Sequence, residues 1–478
     1  MNRSIRRLYL SIVVGFGLLA GFLGWWQVVA AGELEKQRGN PYVAEKERRI
    51  DRGAIVSSDG TFLARSIPAT VRGQRVYRRV YPQGDLAPQV VGYATPQLGS
   101  TGIEAAFNRF LAGSYGVEPL LRRINLADKR GANVYLTLDT RIQQVAVDAL
   151  AGTAGAVVAL DPRSGAILSM ASAPTFDLND VATNFAAVRT RPGAPLLSRP
   201  TQSRQPPGSA FKVVTATSAL ESGSYTATSR FVDTGRFVLN GQPITNFGGA
   251  RFGAHTFETA LTKSINTTFA RIGQDLGSDR LGRTMTAFGF GEDPLLRDLP
   301  AAMLVPSGRF DGGRLLPNGE RGIDTPRVAI GQERLAATPL QMAMVAGAIA
   351  SGGRLRRPFL MRQVRDRGGD VVREGHPETV RQVTTPDVAS ALSAMMRSVV
   401  REGTGTAAAL TGLEVAGKTG TAESGAAGRN QAWFIGFAPA DNPVVAVAVL
   451  VEDTTGTGGA VAAPIAGRVM RAAVEVSS

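Results

Sequence analysis

The stretch AGAVVALDPRSGAILSMASA, residues 154–173, decides the fold prediction for most of this chain. Ala154–Asp161 is a run of small apolar residues, Pro162–Gly165 is typical of a turn, and Ala166–Ala173 is a second apolar run. Two such runs joined by a short turn predict a β-hairpin. Further strands are predicted much later in the chain, at residues 415–422, 432–437 and 443–451.

Helical patterns fill much of the segment between these strands, at residues 209–350. Strands at both ends of a mainly helical segment predict an α+β domain, in which the two ends form one sheet. We place this domain at residues 151–478. Residues 33–150 form a smaller unit that is Arg-rich and broken by Gly and Pro, with a strand predicted at 134–139 and a helix at 140–150.

The N-terminus carries a predicted membrane anchor. Residues 1–7 contain three arginines, and the 25 residues 8–32 contain no charged side chain. At about 1.5 Å per residue, a helix of this length can cross a ~30 Å hydrocarbon core. The arginines before the span predict a cytoplasmic tail at 1–7 and an extracytoplasmic location for the rest of the chain. A cleaved signal peptide ending at Val29-Ala30-Ala31 is the rival interpretation, but the apolar region of a signal peptide is shorter.

Composition excludes several kinds of site. The 478 residues include no cysteine, which excludes disulfides, thiolate catalysis and cysteine-ligated metals. Because His255 and His376 are the only histidines, a three-histidine metal site is impossible, and a Ser-His-Asp triad would need one of these two. The net charge of +14 suits an anionic membrane or polymer. No dense basic run with interleaved aromatics is present, so nucleic-acid binding is not predicted.

Lysine is rare in this chain, since only six of the 53 basic residues are lysines. Arginine keeps its proton in proteins, whereas a buried lysine can lose it. The remaining lysines therefore indicate positions where arginine does not serve. Three of the six, Lys212, Lys263 and Lys418, lie in or beside three short motifs.

The first motif is Ser209-x-x-Lys212, which follows the run Pro206-Pro207-Gly208. We predict that Ser209 opens a helix over 211–220 and shares one helix face with Lys212. A serine hydroxyl is a weak nucleophile until a neighbour accepts its proton, and a desolvated lysine with a lowered pKa can accept it. The alternative is a serine N-cap followed by a solvated lysine, although no other lysine in the chain has serine three residues earlier.

The second and third motifs each occur once. Ser264-x-Asn266 lies in a predicted helix over 257–272, where its hydroxyl and carboxamide can relay a proton and bind a peptide group. The run from Lys418 to Thr421, Lys-Thr-Gly-Thr, lies in a predicted strand, where a glycine indicates the close approach of another backbone. Its lysine and threonine side chains suit a ligand carboxylate. The alternatives are ordinary helix and edge-strand residues.

In this order the three motifs resemble those of the penicilloyl-serine transferases, which are defined by Ser-x-x-Lys, Ser-x-Asn and Lys-Thr-Gly. Within that group the chain is similar, over nearly its whole length, to the class B penicillin-binding proteins, and in its compactness to their short actinobacterial subgroup. The resemblance implies a pedestal or dimerisation-like domain at 33–150. It also implies a β-lactamase-like transpeptidase domain at 151–478, with an antiparallel five-stranded sheet flanked by helices. Other family-like stretches are Arg52–Ile55, Gly99–Glu104, Gly155–Pro174 and Ala432–Gly436.

The resemblance also implies roles for the motif residues in a peptidoglycan D,D-transpeptidase. Ser209 would be acylated by the penultimate D-Ala of a stem peptide, with Lys212 as its base. Ser264 would pass a proton to the leaving amine, Lys418 would supply positive potential, and the N–H groups of Ser209 and Thr421 would form the oxyanion hole. No metal or organic cofactor is implied. The implied substrate-binding residues are Asn266, Thr419, Gly420 and Thr421.

Substrates and partners follow from the same resemblance. The substrates would be stem peptides on glycan derived from a lipid-linked precursor, with β-lactams as inhibitors. The enzyme would act at the cytoplasmic membrane in cell division or cell shape, and a polytopic glycan polymerase would contact the anchor and the pedestal. Two alternatives remain open from the residues: a D,D-carboxypeptidase or β-lactamase, in which water takes the acyl group, and a non-catalytic β-lactam sensor or wall-assembly scaffold.

Overall fold

The chain begins with an apolar helix. The computed structural model describes residues 3–26, 45, 47–115, 130–239, 241–320, 322–423 and 428–477. The helix Arg3–Gly24 has 22 residues, none of them buried, and by length and composition it can cross a membrane. The predicted span at 8–32 agrees with this helix as far as residue 24. Residues 27–32 of that prediction lie outside the described residues.

A six-stranded sheet forms the centre of the pedestal, the unit that follows the helix. Strand Met361–Arg365 pairs antiparallel with Asn133–Leu136, which places Val364 opposite Val134. Two of the six strands therefore come from the range predicted as the transpeptidase domain, and this sheet does not follow the predicted boundary at residue 150. In spatial order its strands are Val371–Glu374, Met361–Arg365, Asn133–Leu136, Ile55–Val56, Phe62–Val71 and Gln74–Val80.

A buried ion cluster holds the pedestal together. Glu104 is fully buried, and its carboxylate lies 2.7 Å from Arg52 and 2.5 Å from Arg79. Although burial opposes ionisation, the two guanidinium groups hold the pKa of Glu104 below its usual range. The cluster links strand Gln74–Val80 to helices Gly102–Ala106 and Asn108–Leu111, since Arg52 also donates to Asn108 Oδ1 at 2.8 Å. The other short elements of this unit are the helix Pro88–Val91 and the paired strands Ala94–Thr95 and Gly99–Ser100.

A five-stranded antiparallel sheet forms the centre of the larger domain, and the two ends of the segment build it together, as predicted. The hairpin of residues 154–173 supplies two adjacent strands, which pair with Val157 opposite Ala171. The last strand of the chain pairs with this hairpin, with Val449 opposite Val157. In spatial order the strands are Ala416–Glu423, Asn430–Ala438, Val445–Thr454, Gly155–Leu160 and Ile167–Ala173.

Both faces of this sheet are covered, which explains why its strands are continuously apolar. Successive side chains of a strand point to opposite faces. Val158 and Leu450 therefore join the core under helix Pro339–Ala350. Val157 and Val449 join a second core under helices Thr140–Ala149 and Ala463–Ser477. The sheet is thus a buried wall, and its edge strand Ala416–Glu423 carries the third motif.

The segment between the two ends of the sheet is mainly helical, with small strand pairs inserted. The prediction of one helix over 257–272 is wrong. Helix Phe257–Thr262 ends before Ser264, and a new helix begins at Asn266. Ser264 has a φ of 59°, which interrupts a right-handed helix.

The remaining helices are Leu178–Thr190, Arg199–Gln202, Lys212–Glu221, Thr325–Ala329 and Pro386–Glu402. The inserted strands are Arg230–Asp233 with Gly253–Thr256, Arg236–Leu239 with Gln242–Thr245, Gly308–Asp311 with Arg314–Leu316 and Leu335–Ala336, and Arg354–Arg356 with Thr379–Gln382.

Candidate active site

Five of the eight predicted site residues line one cleft of about 860 Å³. The other three, Lys212, Lys418 and Gly420, are fully or almost fully buried behind its wall. The structure therefore brings the three motifs together, although they are separated by more than 50 residues in sequence. The five that line the cleft are Ser209, Ser264, Asn266, Thr419 and Thr421.

Ser209 lies in a tight turn in front of a helix. Gly208–Phe211 is a 3-10 turn, and the α-helix begins only at Lys212, so the predicted helix over 211–220 starts one residue later than expected. Gly208 has a φ of 51°, a conformation that glycine adopts without strain, and its N–H donates to Gly331 O at 3.1 Å. The Ser209 side chain is half-buried and faces the cleft. The turn is therefore held in place while the hydroxyl stays accessible.

Lys212 is fully buried, and its amine is held by the second motif. Its Nζ donates to Ser264 O at 2.8 Å and to Asn266 Oδ1 at 2.8 Å, and lies 3.2 Å from Ser264 Oγ. It also lies 5.2 Å from the centre of the Phe269 ring. Among the described residues no carboxylate pairs with it. Burial, together with the charge of Lys418, therefore lowers the pKa of Lys212 well below 10.5.

The spacing of the first motif predicted that Ser209 and Lys212 share a helix face. In the described part of the chain the hydrogen bonds of Lys212 Nζ go to Ser264 and Asn266, and none joins it to Ser209. The loop before helix Asn266–Ala287 presents several acceptors to the amine, and these satisfy its donors. A direct Ser209–Lys212 hydrogen bond is thus not formed in this state of the site.

Ser264 connects the two buried lysines. Its Oγ lies 3.2 Å from Lys212 Nζ and 3.0 Å from Lys418 Nζ. A hydroxyl can donate one hydrogen bond and accept two. It can therefore accept from a protonated amine while it donates to a neutral one, which is the arrangement needed to pass a proton. The break in the helix at Ser264 is what turns this hydroxyl toward both amines.

The third motif lies on the edge strand against the nucleophile turn. A Cβ on Gly420 would lie 2.5 Å from Pro207 O, so the glycine allows the predicted close approach of another backbone. Thr419 Oγ1 shares a hydrogen bond of 2.6 Å with Thr404 Oγ1, and Thr421 Oγ1 accepts the N–H of Gly458 at 3.0 Å. The threonines thus sit in defined rotamers along the cleft, and Thr404 adds a hydroxyl that no sequence pattern singled out.

The two histidines lie outside this arrangement. His255 is 9% exposed, and its ring nitrogens bond to Gly253 O and Thr268 Oγ1, both at 2.8 Å. His376 is exposed. Neither ring contacts Ser209, so a Ser-His-Asp triad is not formed among the described residues.

The buried Lys418 should make the free energy of unfolding depend on pH. Burial lowers its pKa from 10.5 to about 7. Between these two values the unfolded chain holds a proton at this lysine that the folded chain has released, so the free energy of unfolding rises as the pH rises. In the unsubstituted chain the free energy of unfolding should rise between about pH 7.5 and about pH 9.5. We expect this rise to be smaller by roughly 2 kcal/mol in Lys418→Met, since one pKa unit is worth about 1.4 kcal/mol. Denaturant unfolding at the two pH values measures this gain.

The matched control is Lys263→Met, which removes an exposed lysine. It should keep the pH dependence of the unsubstituted chain. An unchanged gain in Lys418→Met would show that the Lys418 amine keeps its ordinary proton affinity in the folded state.

Comparison with known proteins agrees with this geometry. Residues 155–471 match the family model described as the penicillin binding protein transpeptidase domain, and residues 52–134 match the penicillin binding protein A dimerisation domain. The chain is 36% identical to the peptidoglycan D,D-transpeptidase PbpA of Mycolicibacterium smegmatis, with 100% of both chains covered. It belongs to the class B penicillin-binding protein transpeptidases. The resemblance inferred from the motifs is confirmed.

Solved structures of this family share the fold. Penicillin-binding protein A from M. tuberculosis, described as a ceftriaxone acyl-enzyme complex, has a TM-score of 0.81 and 32% identity, with 90% of this chain and 99% of that chain covered. The D,D-transpeptidase domain of a peptidoglycan glycosyltransferase from Eggerthella lenta has a TM-score of 0.79 and 36% identity over 90% of this chain and 99% of that chain. The α+β fold is therefore that of the family.

Proposed function

We propose that this class B penicillin-binding protein crosslinks peptidoglycan as a serine D,D-transpeptidase, with Ser209 as its nucleophile. The observation that carries the proposal is the position of Ser264 Oγ between the amines of Lys212 and Lys418, at the wall of the cleft that Ser209 faces. A relative that the chain covers in full, from Mycolicibacterium smegmatis, carries the name peptidoglycan D,D-transpeptidase PbpA. The family, the fold and the polar geometry of the cleft all favour acyl transfer.

In the first step Ser209 Oγ attacks the carbonyl carbon of the penultimate D-Ala of a stem peptide. Its proton passes to the neutral amine of Lys212, whose pKa burial has lowered. The carbonyl oxygen becomes an oxyanion, and we assign its stabilisation to the N–H groups of Ser209 and Thr421. Ser209 is the second residue of the 3-10 turn Gly208–Phe211. At the start of such a turn the backbone N–H groups lack acceptors within the turn, so they can donate to a ligand.

In the second step the peptide bond to the terminal D-Ala breaks. The leaving nitrogen needs a proton, and the path from Lys212 through Ser264 Oγ supplies it, since the hydroxyl gives one proton and receives another. Lys418 on the other side of this hydroxyl supplies positive charge when protonated. Free D-Ala leaves, and the acyl group stays bonded to Ser209 as an ester.

Substrate position depends on the rest of the cleft wall. The hydroxyls of Thr419 and Thr421 line the cleft beside Lys418 and suit the terminal carboxylate of the donor peptide. Asn266 also lines the cleft, and we assign to it the binding of the donor peptide group. Gly420 contributes by its lack of a side chain, which lets this strand approach the nucleophile turn.

In the last step an amine from a neighbouring stem attacks the ester, loses a proton along the same path and restores Ser209, which forms the crosslink. A β-lactam would acylate Ser209 in the same way. Its leaving nitrogen stays attached to the opened ring, so the ester persists. Penicillin-binding protein A from M. tuberculosis has been solved as penicillin G and imipenem acyl-enzyme complexes, which supports this assignment.

We also propose that the helix Arg3–Gly24 anchors the enzyme in the cytoplasmic membrane, with the N-terminus inside and the catalytic domain outside. Arg3, Arg6 and Arg7 support this orientation through the positive-inside rule. External protease should degrade the catalytic domain in spheroplasts, and full protection would contradict the orientation.

A polytopic glycan polymerase would bind the anchor and the pedestal. Exchanging residues 8–32 for an unrelated span should weaken its co-purification, and undiminished co-purification would count against this contact.

The product of the reaction tests the function. The detergent-solubilised full chain would receive a stem peptide ending in D-Ala-D-Ala and an excess of an acceptor D-amino acid, and mass spectrometry would follow both products. We expect release of D-Ala and a donor–acceptor conjugate in excess of the hydrolysed donor. Hydrolysed donor alone would indicate a carboxypeptidase. Rapid loss of penicillin from solution would indicate a β-lactamase, and no turnover of either would favour the non-catalytic alternatives.

A further inference from the structure

A buried carboxylate that no motif includes lies directly behind the cleft. Asp233 ends the strand Arg230–Asp233 and is 5% exposed. Its Oδ1 accepts hydrogen bonds from Thr267 Oγ1 at 2.6 Å and from Gly235 N at 2.8 Å. Its Oδ2 accepts from Asn246 Nδ2 at 2.8 Å and from Phe252 N at 2.9 Å. Four donors from four points of the chain thus fill the acceptor capacity of one ionised carboxylate.

Two of these donors adjoin the second motif. Thr267 directly follows Asn266 in the first turn of helix Asn266–Ala287. Asn246 directly follows Thr245, and its Oδ1 accepts the backbone N–H of Thr267 at 3.2 Å. Asp233 therefore fixes the start of the helix and the end of the strand Gln242–Thr245 relative to each other.

The position of the helix start relative to the end of strand Gln242–Thr245 decides which way the Asn266 carboxamide faces. Its Nδ2 donates to Thr245 O at 2.9 Å, while its Oδ1 accepts from Lys212 Nζ at 2.8 Å. If Thr245 O moved away, the carboxamide would lose the acceptor that holds its NH₂ group away from Lys212 Nζ. A rotated carboxamide would turn its NH₂ group toward Lys212 Nζ and would no longer accept the hydrogen bond that this amine donates.

The same contact limits the movement of the loop that carries Ser264. That loop ends at Asn266, so a shift of the helix start would also shift the Ser264 hydroxyl relative to both lysine amines. Hydrogen bonds of 3.0 and 3.2 Å leave little room for such a shift. Displacements of about 1 Å in groups of this kind can reduce rates by about 10²-fold.

We propose that Asp233 is a positioning residue for acylation: it orients Asn266 and the Ser264 loop toward Lys212 through Asn246 and Thr267. The proposal rests on the proposed function, because it concerns the same proton path. Asp233 touches neither the substrate nor the reacting atoms, and its effect passes through the segments it joins.

The test is Asp233→Asn in the detergent-solubilised full chain. An asparagine puts an NH₂ group where one oxygen accepts two donors, so the backbone N–H of either Gly235 or Phe252 loses its acceptor whichever way the amide turns. Stopped-flow acylation by a fluorescent penicillin separates the acylation rate at saturating drug from the dissociation constant of the drug. We expect the saturating rate to fall about 10- to 100-fold and the dissociation constant to change less.

The matched control is Asp298→Asn. Asp298 is also buried, at 8% exposure, and accepts two backbone N–H groups, those of Leu360 at 2.7 Å and Met361 at 3.0 Å, but it does not line the cleft. Both N–H groups donate to the same oxygen, which the asparagine can keep, so this variant should leave the saturating acylation rate of the folded protein unchanged. Thr267→Val, which removes one donor to Asp233 and keeps the side-chain shape, carries the same test if Asp233→Asn does not fold.

The outcomes are distinct. A slowed Asp233→Asn or Thr267→Val with an unaffected Asp298→Asn supports the positioning role. The positioning role is contradicted if Asp233→Asn and Thr267→Val keep the saturating rate of the unsubstituted chain. It is also contradicted if Asp298→Asn slows acylation equally, since Asp233 would then only stabilise the fold. If the unsubstituted chain itself is not acylated, the proposed function fails, and the positioning role fails with it.

Discussion

Ser209→Ala is expected to abolish covalent labelling of the full chain by a fluorescent penicillin. The side chain faces the cleft and is the only nucleophile of the first motif, so without its oxygen no ester can form. The result would be read as a missing band on a denaturing gel. The change removes one oxygen from a half-buried position, and the turn is held by backbone contacts such as Gly208 N to Gly331 O. The variant should therefore keep the melting temperature of the unsubstituted chain within a few degrees.

A serine on the following helix offers a matched control. Ser218 is fully buried, and its Oγ has no hydrogen-bond partner among the described residues, so Ser218→Ala removes the same type of atom without loss of a bond to any of them. This variant should be labelled at the same rate as the unsubstituted chain. A band that persists in Ser209→Ala would place the nucleophile elsewhere. If the unsubstituted chain gave no band, the drug left in solution would distinguish rapid turnover from an inactive site.

Lys212→Met should reduce the rate of acylation by about 10³-fold, within the range that a general base contributes. Methionine fills a similar volume but cannot accept the proton of Ser209. The Ser264 hydroxyl would also lose one of the two amines between which it lies. Stopped-flow acylation at saturating penicillin measures the effect. An acylation rate within a few-fold of the unsubstituted chain would falsify the assignment of Lys212 as the base.

The pH profile separates a base from a merely structural lysine. The neutral amine is the active form, so acylation by the unsubstituted chain should slow as the pH falls through the lowered pKa of Lys212. In Lys212→Met this dependence should disappear from the residual rate. A residual rate with the original pH profile would assign the titration to another group, such as Lys418, whose pKa burial lowers to about 7.

The five-stranded sheet was predictable because its signals are local. Apolar runs bounded by turn residues identified all five strands of the central sheet to within about three residues. The Gly420 contact was predictable for a similar reason, since a glycine inside a strand has few other uses. The pedestal sheet was harder to predict. Strand Met361–Arg365 joins Asn133–Leu136 across more than 200 residues, and nothing in either segment indicates the other.

The sequence by itself determined the chemistry available to this protein. The absence of cysteine excluded a thiolate nucleophile, the spacing of Ser209 and Lys212 indicated a nucleophile with its base, and the order of the three motifs identified the family. The tertiary structure alone decided how these groups meet. Ser264 lies 52 residues from Lys212 and 154 from Lys418, and its place between them depends on a helix break that periodicity did not predict. Asp233 was invisible for the same reason. A single buried carboxylate has no local pattern, and its role exists only through the four distant donors that the fold brings to it.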